Sequence, residues 1–329
     1  MIPLEEIRRA RERIGDSVQA SPLVQYDEML EAPPAEPATP GGRPRSPAAS
    51  AGRVWLKLEN LHPIGCFKLR GALNRVRSEP EVRDLVTASA GNMAQGVAWA
   101  AREVGVSATI VAPETAPRTK LDAAERLGAR VVPVSYEEWW QAMVDRGRDG
   151  IDGLFVHPTD DPAVMAGNGT IGLELCEQLD SFDTVIVPWG GGGLTLGIAS
   201  AVKALRPGTR VVAAEPATGA PLTAAFAAGA PTEIELERSF VDGAGGPALL
   251  PGMWEKAQGL VDEAVAVPIP EVEEAVRLLA SRAKVVAEGA GALALAAALR
   301  RNDRCVGIVS GGNIDPDLYA GILSPAATA

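Results

Sequence analysis

The sequence predicts an α/β fold with mostly parallel sheets, on three observations. Short β-branched runs alternate with amphipathic stretches along most of the chain, which is the rhythm of repeated strand–helix units. Several of these runs end in polar, glycine-bearing turns that lead straight into the next amphipathic stretch. Finally, 47% of the 329 residues are hydrophobic, enough to bury a substantial core in one or two domains.

Taken in order, Val54 to Leu58 reads as a strand and Phe67 to Val76 as the start of a helix. Leu85 to Ser89 (strand) leads to Met93 to Val104 (helix), Ala108 to Ala112 (strand) to Arg118 to Leu127 (helix), and Ala129 to Val134 (strand) to Tyr136 to Arg146 (helix). The rhythm resumes with Leu154 to His157 (strand), Thr170 to Leu179 (helix), Thr184 to Val187 (strand), Leu194 to Leu205 (helix) and Arg210 to Ala214 (strand). Glu271 to Ala283 and Gly289 to Arg300 read as helices and Cys305 to Val309 as a strand. The Ala-rich tract Gly289 to Leu299 is too short to span a bilayer and reads as buried. Between Glu31 and Gly52 six prolines exclude a helix or central strand. Residues 32–52 are therefore expected to form a mobile surface insertion, with a partner-binding polyproline segment as the alternative.

The charge balance, 31 basic against 42 acidic side chains for a net −11, argues against polyanion partners such as nucleic acid or an anionic membrane. It does not exclude an anionic small molecule, which backbone amides hold locally. Three scattered cysteines, Cys66, Cys176 and Cys305, make neither a disulfide framework nor a thiolate metal cluster. With no basic stretch before an apolar core at the N-terminus, a cytoplasmic protein is expected.

Four segments carry possible chemistry. An apolar strand runs into Gly190, Gly191, Gly192, Gly193 and Leu194. Glycines leave amides uncovered at the positive end of the next helix, so this is either a phosphate cradle or a plain tight turn. Ser89-Ala90-Gly91-Asn92 has the same strand-to-helix position and suits a carboxylate or a ring oxygen, unless its polar residues only cap the helix. Ser310-Gly311-Gly312-Asn313 follows the last strand. Polar turns at strand ends are what a ligand crevice in an open α/β sheet requires. Lys68, among apolar neighbours at a helix start, is either a surface lysine that snorkels or a buried amine of lowered pKa suited to Schiff-base formation.

Lys68, Asn92, the glycine run and Ser310, in this order and at these separations, resemble the pyridoxal-phosphate enzymes of the tryptophan-synthase-β fold type, and within them the serine/threonine dehydratase family. Lys57 to Leu61, Gly167 to Gly172 and Glu288 to Ala292 extend the resemblance to nearly the whole chain. It implies two open, mostly parallel sheets covered by helices, with pyridoxal 5′-phosphate between a large domain (1–80 and 158–329) and a small one (81–157). By the same resemblance Lys68 is the Schiff-base lysine and moves the Cα proton. Gly190, Gly191, Gly192, Gly193 and the Leu194 amide hold the phosphate, Asn92 the ring 3′-oxygen, Ser310 faces the pyridine nitrogen, and Phe67 packs beside the ring. Ser89, Ala90, Gly91 and Asn92 form the substrate loop. The implied reaction removes water from serine or threonine and gives a 2-oxo acid and ammonia. A homodimer is also implied.

Several positions depart from the family pattern. Cys66 stands where serine or threonine is usual, Met93 where histidine is usual, and Trp189 where a small residue is usual. Ala90 replaces the serine that racemases of the family use as a second base, which disfavours racemisation. Pro221 replaces an acidic ligand in the turn Glu215 to Pro221, which resembles a divalent-cation turn, and no metal is assigned there. The chain leaves no room for the regulatory domain of biosynthetic threonine deaminases, so a catabolic or specialised role is expected. The alternatives are 3-hydroxyaspartate or diaminopropionate elimination, β-replacement, threonine-synthase-like chemistry, racemisation, or an inactive binding protein that kept the fold.

Overall fold

The computed structural model describes residues 1–26, 53–116 and 118–324; the Pro-rich segment 32–52 lies outside them. Ten strands are described: β1 (Leu23–Gln25), β2 (Val54–Leu58), β3 (Asp84–Ala88), β4 (Ser107–Pro113), β5 (Arg130–Val134), β6 (Leu154–Phe155), β7 (Thr184–Pro188), β8 (Arg210–Pro216), β9 (Glu263–Val267) and β10 (Cys305–Val309). The first six helices are α1 (Leu4–Ile14), α2 (Lys68–Arg77), α3 (Asn92–Val104), α4 (Arg118–Arg126), α5 (Tyr136–Asp145) and α6 (Pro162–Gln178). The others are α7 (Gly193–Leu205), α8 (Pro221–Ala228), α9 (Met253–Gln258), α10 (Ile269–Leu278), α11 (Gly289–Leu299) and α12 (Pro316–Leu323).

The expected two open sheets are present, one of six strands in the order β1-β2-β10-β7-β8-β9 and one of four in the order β5-β4-β3-β6. Every pairing is parallel except the edge pair of β1 with β2. The two central strands β7 and β10 are buried at every position, which is why they read as unbroken apolar runs rather than alternations. Along β7 and β8 successive residues serve opposite faces. Ile186, Val212 and Ala214 pack with α10 and α11, while Val185, Val187, Val211 and Ala213 pack with α6 and α7. In the smaller sheet Leu85 and Ile110 pack with α3, and Val86 and Val111 face α5.

Helix α6 starts eight residues before its expected start at Thr170. Asp161 caps it by accepting from Ala163 N and Val164 N, and Pro162 opens the first turn. Gly167 and Gly169, which read as breakers, are close-approach points. A Cβ on Gly167 would lie 2.5 Å from the Arg70 carbonyl oxygen, and one on Gly169 would lie 2.9 Å from that of Gly197. The stretch expected as a helix over Glu271 to Ala283 is α10 followed by a π-turn, Leu279–Ala283.

Candidate active site

Three turns at the C-terminal ends of parallel strands converge on one cavity of about 370 Å³. They are Ser89 to Gly91 after β3, Gly190 to Gly193 after β7 and Ser310 after β10. The cavity is thus walled by both sheets. Phe67, Lys68, Asn92 and Leu194 complete the set expected from the sequence, and all of its members line this space.

Lys68 is the first residue of α2, and β10 fixes its position. Phe67 N donates to Ser310 O at 3.1 Å and Gly312 N to Gly65 O at 2.8 Å, with Cys66 paired to Gly311 between them. The Lys68 amine donates to Pro158 O at 2.8 Å and sits 5.0 Å from the centre of the Phe67 ring. Burial lowers its pKa to about 8, although the Cys66 and Glu288 side chains pull upward. The snorkelling alternative is set aside, because the amine turns inward to Pro158 on the cavity wall rather than out to water. Pro158 is held in turn by His157, whose Nδ1 accepts from Thr159 N at 3.1 Å and Asp160 N at 2.7 Å. Burial pushes His157 down to about 4 and keeps the ring neutral in that role. Cys66 is no rival nucleophile, since burial pushes its thiol up to about 12.

A buried ionic cluster anchors α2 two residues further on. Arg70 donates to Glu59 (2.7 and 3.0 Å), to Glu174 (2.5 and 3.0 Å) and to Thr170 (3.0 Å). Lys57 completes the neutralisation through Glu174 at 2.6 Å. Two cations thus meet two carboxylates with no solvent exposure on Lys57, Glu59 or Arg70, which joins β2, α2 and α6 into one rigid corner.

The glycine turn needs its glycines. Gly192 takes φ +89°, and a Cβ there would lie 2.7 Å from the Trp189 ring. Trp189 is fully buried beneath the turn. Gly191 and Gly193 press against Thr159. The amides of Gly190 to Leu194 find no acceptor among the described residues, at the positive end of α7. This cradle fits a phosphate group, and Lys68 across the cavity fits an aldehyde.

Neither polar residue of the second turn caps α3. The N-cap is Gly91, without a side-chain bond, and Ser89 Oγ accepts from Gly91 N at 3.3 Å. Asn92 instead joins a network at the cavity wall. Its Nδ2 donates to Glu288 at 2.6 Å and its Oδ1 accepts from Asn313 at 2.7 Å. Glu215 lies elsewhere, its carboxylate accepting from Leu222 N, Thr223 N and Thr223 Oγ1. Sequence reasoning missed Trp139, Thr159, Asp242 and Glu288 as lining residues. Of these only Glu288, an acid beside an all-apolar helix, carried a signal.

The chain is similar to known proteins along nearly its whole length. The L-threonine ammonia-lyase of Thermotoga maritima is 36% identical over 335 aligned positions, covering 98% of this chain and 79% of that protein. The crystal structure of a threonine deaminase from T.th. superposes with TM-score 0.79 at 33% identity, over 95% of this chain and 99% of that one. Maize serine racemase superposes with TM-score 0.84 at 30% identity, over 97% and 95%. The tryptophan-synthase-β-like fold expected from the sequence is the one these comparisons support. The family described as pyridoxal-phosphate dependent enzyme matches residues 38–311, and the chain belongs to that family.

Proposed function

We propose that this chain is a threonine/serine ammonia-lyase that converts a β-hydroxy amino acid to a 2-oxo acid and ammonia. The observation that carries the reading is Lys68, a buried amine lowered to about 8, in a chain aligned almost end to end with an L-threonine ammonia-lyase. Bound pyridoxal 5′-phosphate supplies the electron sink that makes the Cα–H bond of an amino acid acidic. Lys68 would hold the cofactor and, once its amine is free, would take the Cα proton, which balances the departing β-hydroxide as water. Gly190 to Gly193 and the Leu194 amide donate to the phosphate. Asn92, braced by Glu288 and Asn313, presents its amide to the ring oxygen, and Phe67 flanks the ring. Ser310 meets the pyridine nitrogen with a hydroxyl, which cannot hold the ring protonated as a carboxylate would. Ser89, Ala90, Gly91 and Asn92 receive the substrate carboxylate.

Elimination is favoured over racemisation by Ala90 in the cavity wall, since a methyl group relays no proton to the opposite face of Cα. The reading extends to a large domain (1–80 and 158–329) and a small one (81–157). It is supported by sheets that draw their strands from residues 23–58 with 184–309, and from 84–155. It also extends to a cytoplasmic protein without a nucleic-acid partner, supported by three free cysteines and a net charge of −11, and to a homodimer, for which the family resemblance is the support. No described helix is long and apolar enough to cross a membrane. The test is 2-oxo acid formation from L-threonine and L-serine by the purified, cofactor-loaded protein. Turnover is expected in the wild type and lost, together with the bound-cofactor absorbance, in Lys68→Ala. Undiminished activity in that variant sinks the reading.

A further inference from the structure

We propose that Trp139 sets the substrate class: an amino acid whose β-carbon carries a small apolar group, and not one that carries a second charge there. The inference rests on the ammonia-lyase reading above.

Trp139 projects from α5 into the cavity wall. Its ring is held between Tyr136, 5.4 Å away at 48°, and Trp140, 6.2 Å away at 54°. It also packs on the cluster that contains Val86, Ala88 and Val111. Val86 and Ala88 belong to β3, so the indole stands beside the Ser89 to Gly91 turn in which that strand ends. The indole nitrogen is buried and has no hydrogen-bond partner, so the surface that the ring shows the cavity is carbon. Met93 follows the same turn, but its side chain is buried in the core between α2 and α3 and leaves the indole as the apolar surface on this side of the cavity.

Among the described residues, the ionisable groups on the wall are Lys68, Asp242 and Glu288, and none of them is a guanidinium or an imidazole. A β-carboxylate would therefore set a charge against the carbon surface of the indole, with the one amine among the described lining residues already engaged in the reaction. A β-methyl group would exchange water for the indole surface, which is favourable.

The test compares wild-type holoenzyme with Trp139→Ala and Trp139→Leu on L-threonine, L-serine and 3-hydroxyaspartate. Cofactor absorbance checks that each variant is folded, and Trp139→Leu carries the comparison where alanine does not retain the cofactor. The wild type is expected to prefer threonine to serine by about tenfold in kcat/KM, the discrimination that one methyl group gains in an apolar pocket. It should leave 3-hydroxyaspartate unconverted. Trp139→Ala should bring the ratio to about one, and the change should fall on the KM for threonine. An unchanged ratio in both variants overturns the proposal, as does a wild type that converts 3-hydroxyaspartate as fast as threonine. A wild type that makes no 2-oxo acid from any of the three fails the ammonia-lyase reading itself, and this inference with it.

Discussion

Replacing Gly193 with alanine tests the proposed phosphate cradle where packing alone opposes the change. Gly193 opens α7 and is not among the left-handed residues, so the backbone tolerates alanine. The new Cβ would lie 2.6 Å from the Thr159 carbonyl oxygen and 3.0 Å from its Cα, where ordinary contact begins near 3.4 Å. Both are backbone atoms, so the turn has to retreat by about 0.8 Å, the gap between 2.6 and 3.4 Å. Such a shift takes an N–H···O bond of about 2.9 Å to about 3.7 Å, outside hydrogen-bond reach. One amide bond to a charged group is worth ~1.5–3 kcal/mol, so its loss weakens the cofactor about 10- to 150-fold. The assay is equilibrium titration of cofactor-free protein by absorbance, run with pyridoxal 5′-phosphate and in parallel with pyridoxal, which lacks the phosphate. The variant should lose affinity for the first and bind the second as the wild type does. Equal losses with both compounds would refute the reasoning, because the damage would then lie at the ring or at Lys68.

Cofactor uptake should depend on pH through Lys68. Only an uncharged amine attacks an aldehyde, and the Lys68 amine sits at about 8, so the uptake rate should rise with pH and reach half its plateau near pH 8. A rate that keeps climbing past about pH 10 would mark an ordinary exposed lysine. Glu288→Gln removes a carboxylate that raises the amine, and so should move the midpoint downward; an upward shift contradicts the assignment. Arg70→Met leaves Glu59 and Glu174 buried without their guanidinium, with Lys57 beside Glu174 and the His62 ring beside Glu59. It should cost ~3–5 kcal/mol of stability at pH 7, as breaking a buried ion pair does. Urea denaturation reads this directly, and an unchanged midpoint would mean that the cluster is dispensable.

The residues legible in the sequence are those whose type alone was odd for its place. Lys68 is a cation at the positive end of a helix, and four successive glycines follow an apolar strand. Asn92 and Ser310 follow strands whose burial writes itself as apolar runs. What the sequence hid was fixed by contacts distant along the chain. Trp139 sits on a helix that looks solvent-facing, with Tyr136 and Trp140 exposed beside it, and only the packing of α5 on β3 turns it toward the cavity. Thr159 is a loop residue made important by glycines more than thirty positions away. Strand β9 escaped because it is an edge strand with one fully buried position, so neither alternation nor an apolar run marks it. The first half of α6 was concealed by Gly167 and Gly169, which look like breakers until the helices that approach them are present.

The net charge of −11 and an anionic cofactor are compatible for a reason that lies in the cavity wall. Among the described lining residues the one cationic side chain is Lys68, and on the proposed reading it is committed to the aldehyde rather than to the phosphate. The attraction comes instead from the fixed dipoles of the Gly190 to Leu194 amides and of α7. Those groups carry no counter-ions to release, and they are already turned away from any acceptor among the described residues. The arrangement leaves Lys68 free of the task of holding the phosphate. That matters because a lysine salt-bridged to phosphate would be held charged, and a charged amine can neither hold the aldehyde nor take the Cα proton. On the proposed reading, separating the anion site from the amine, with Pro158 and Thr159 packed between the two, would let one lysine do both.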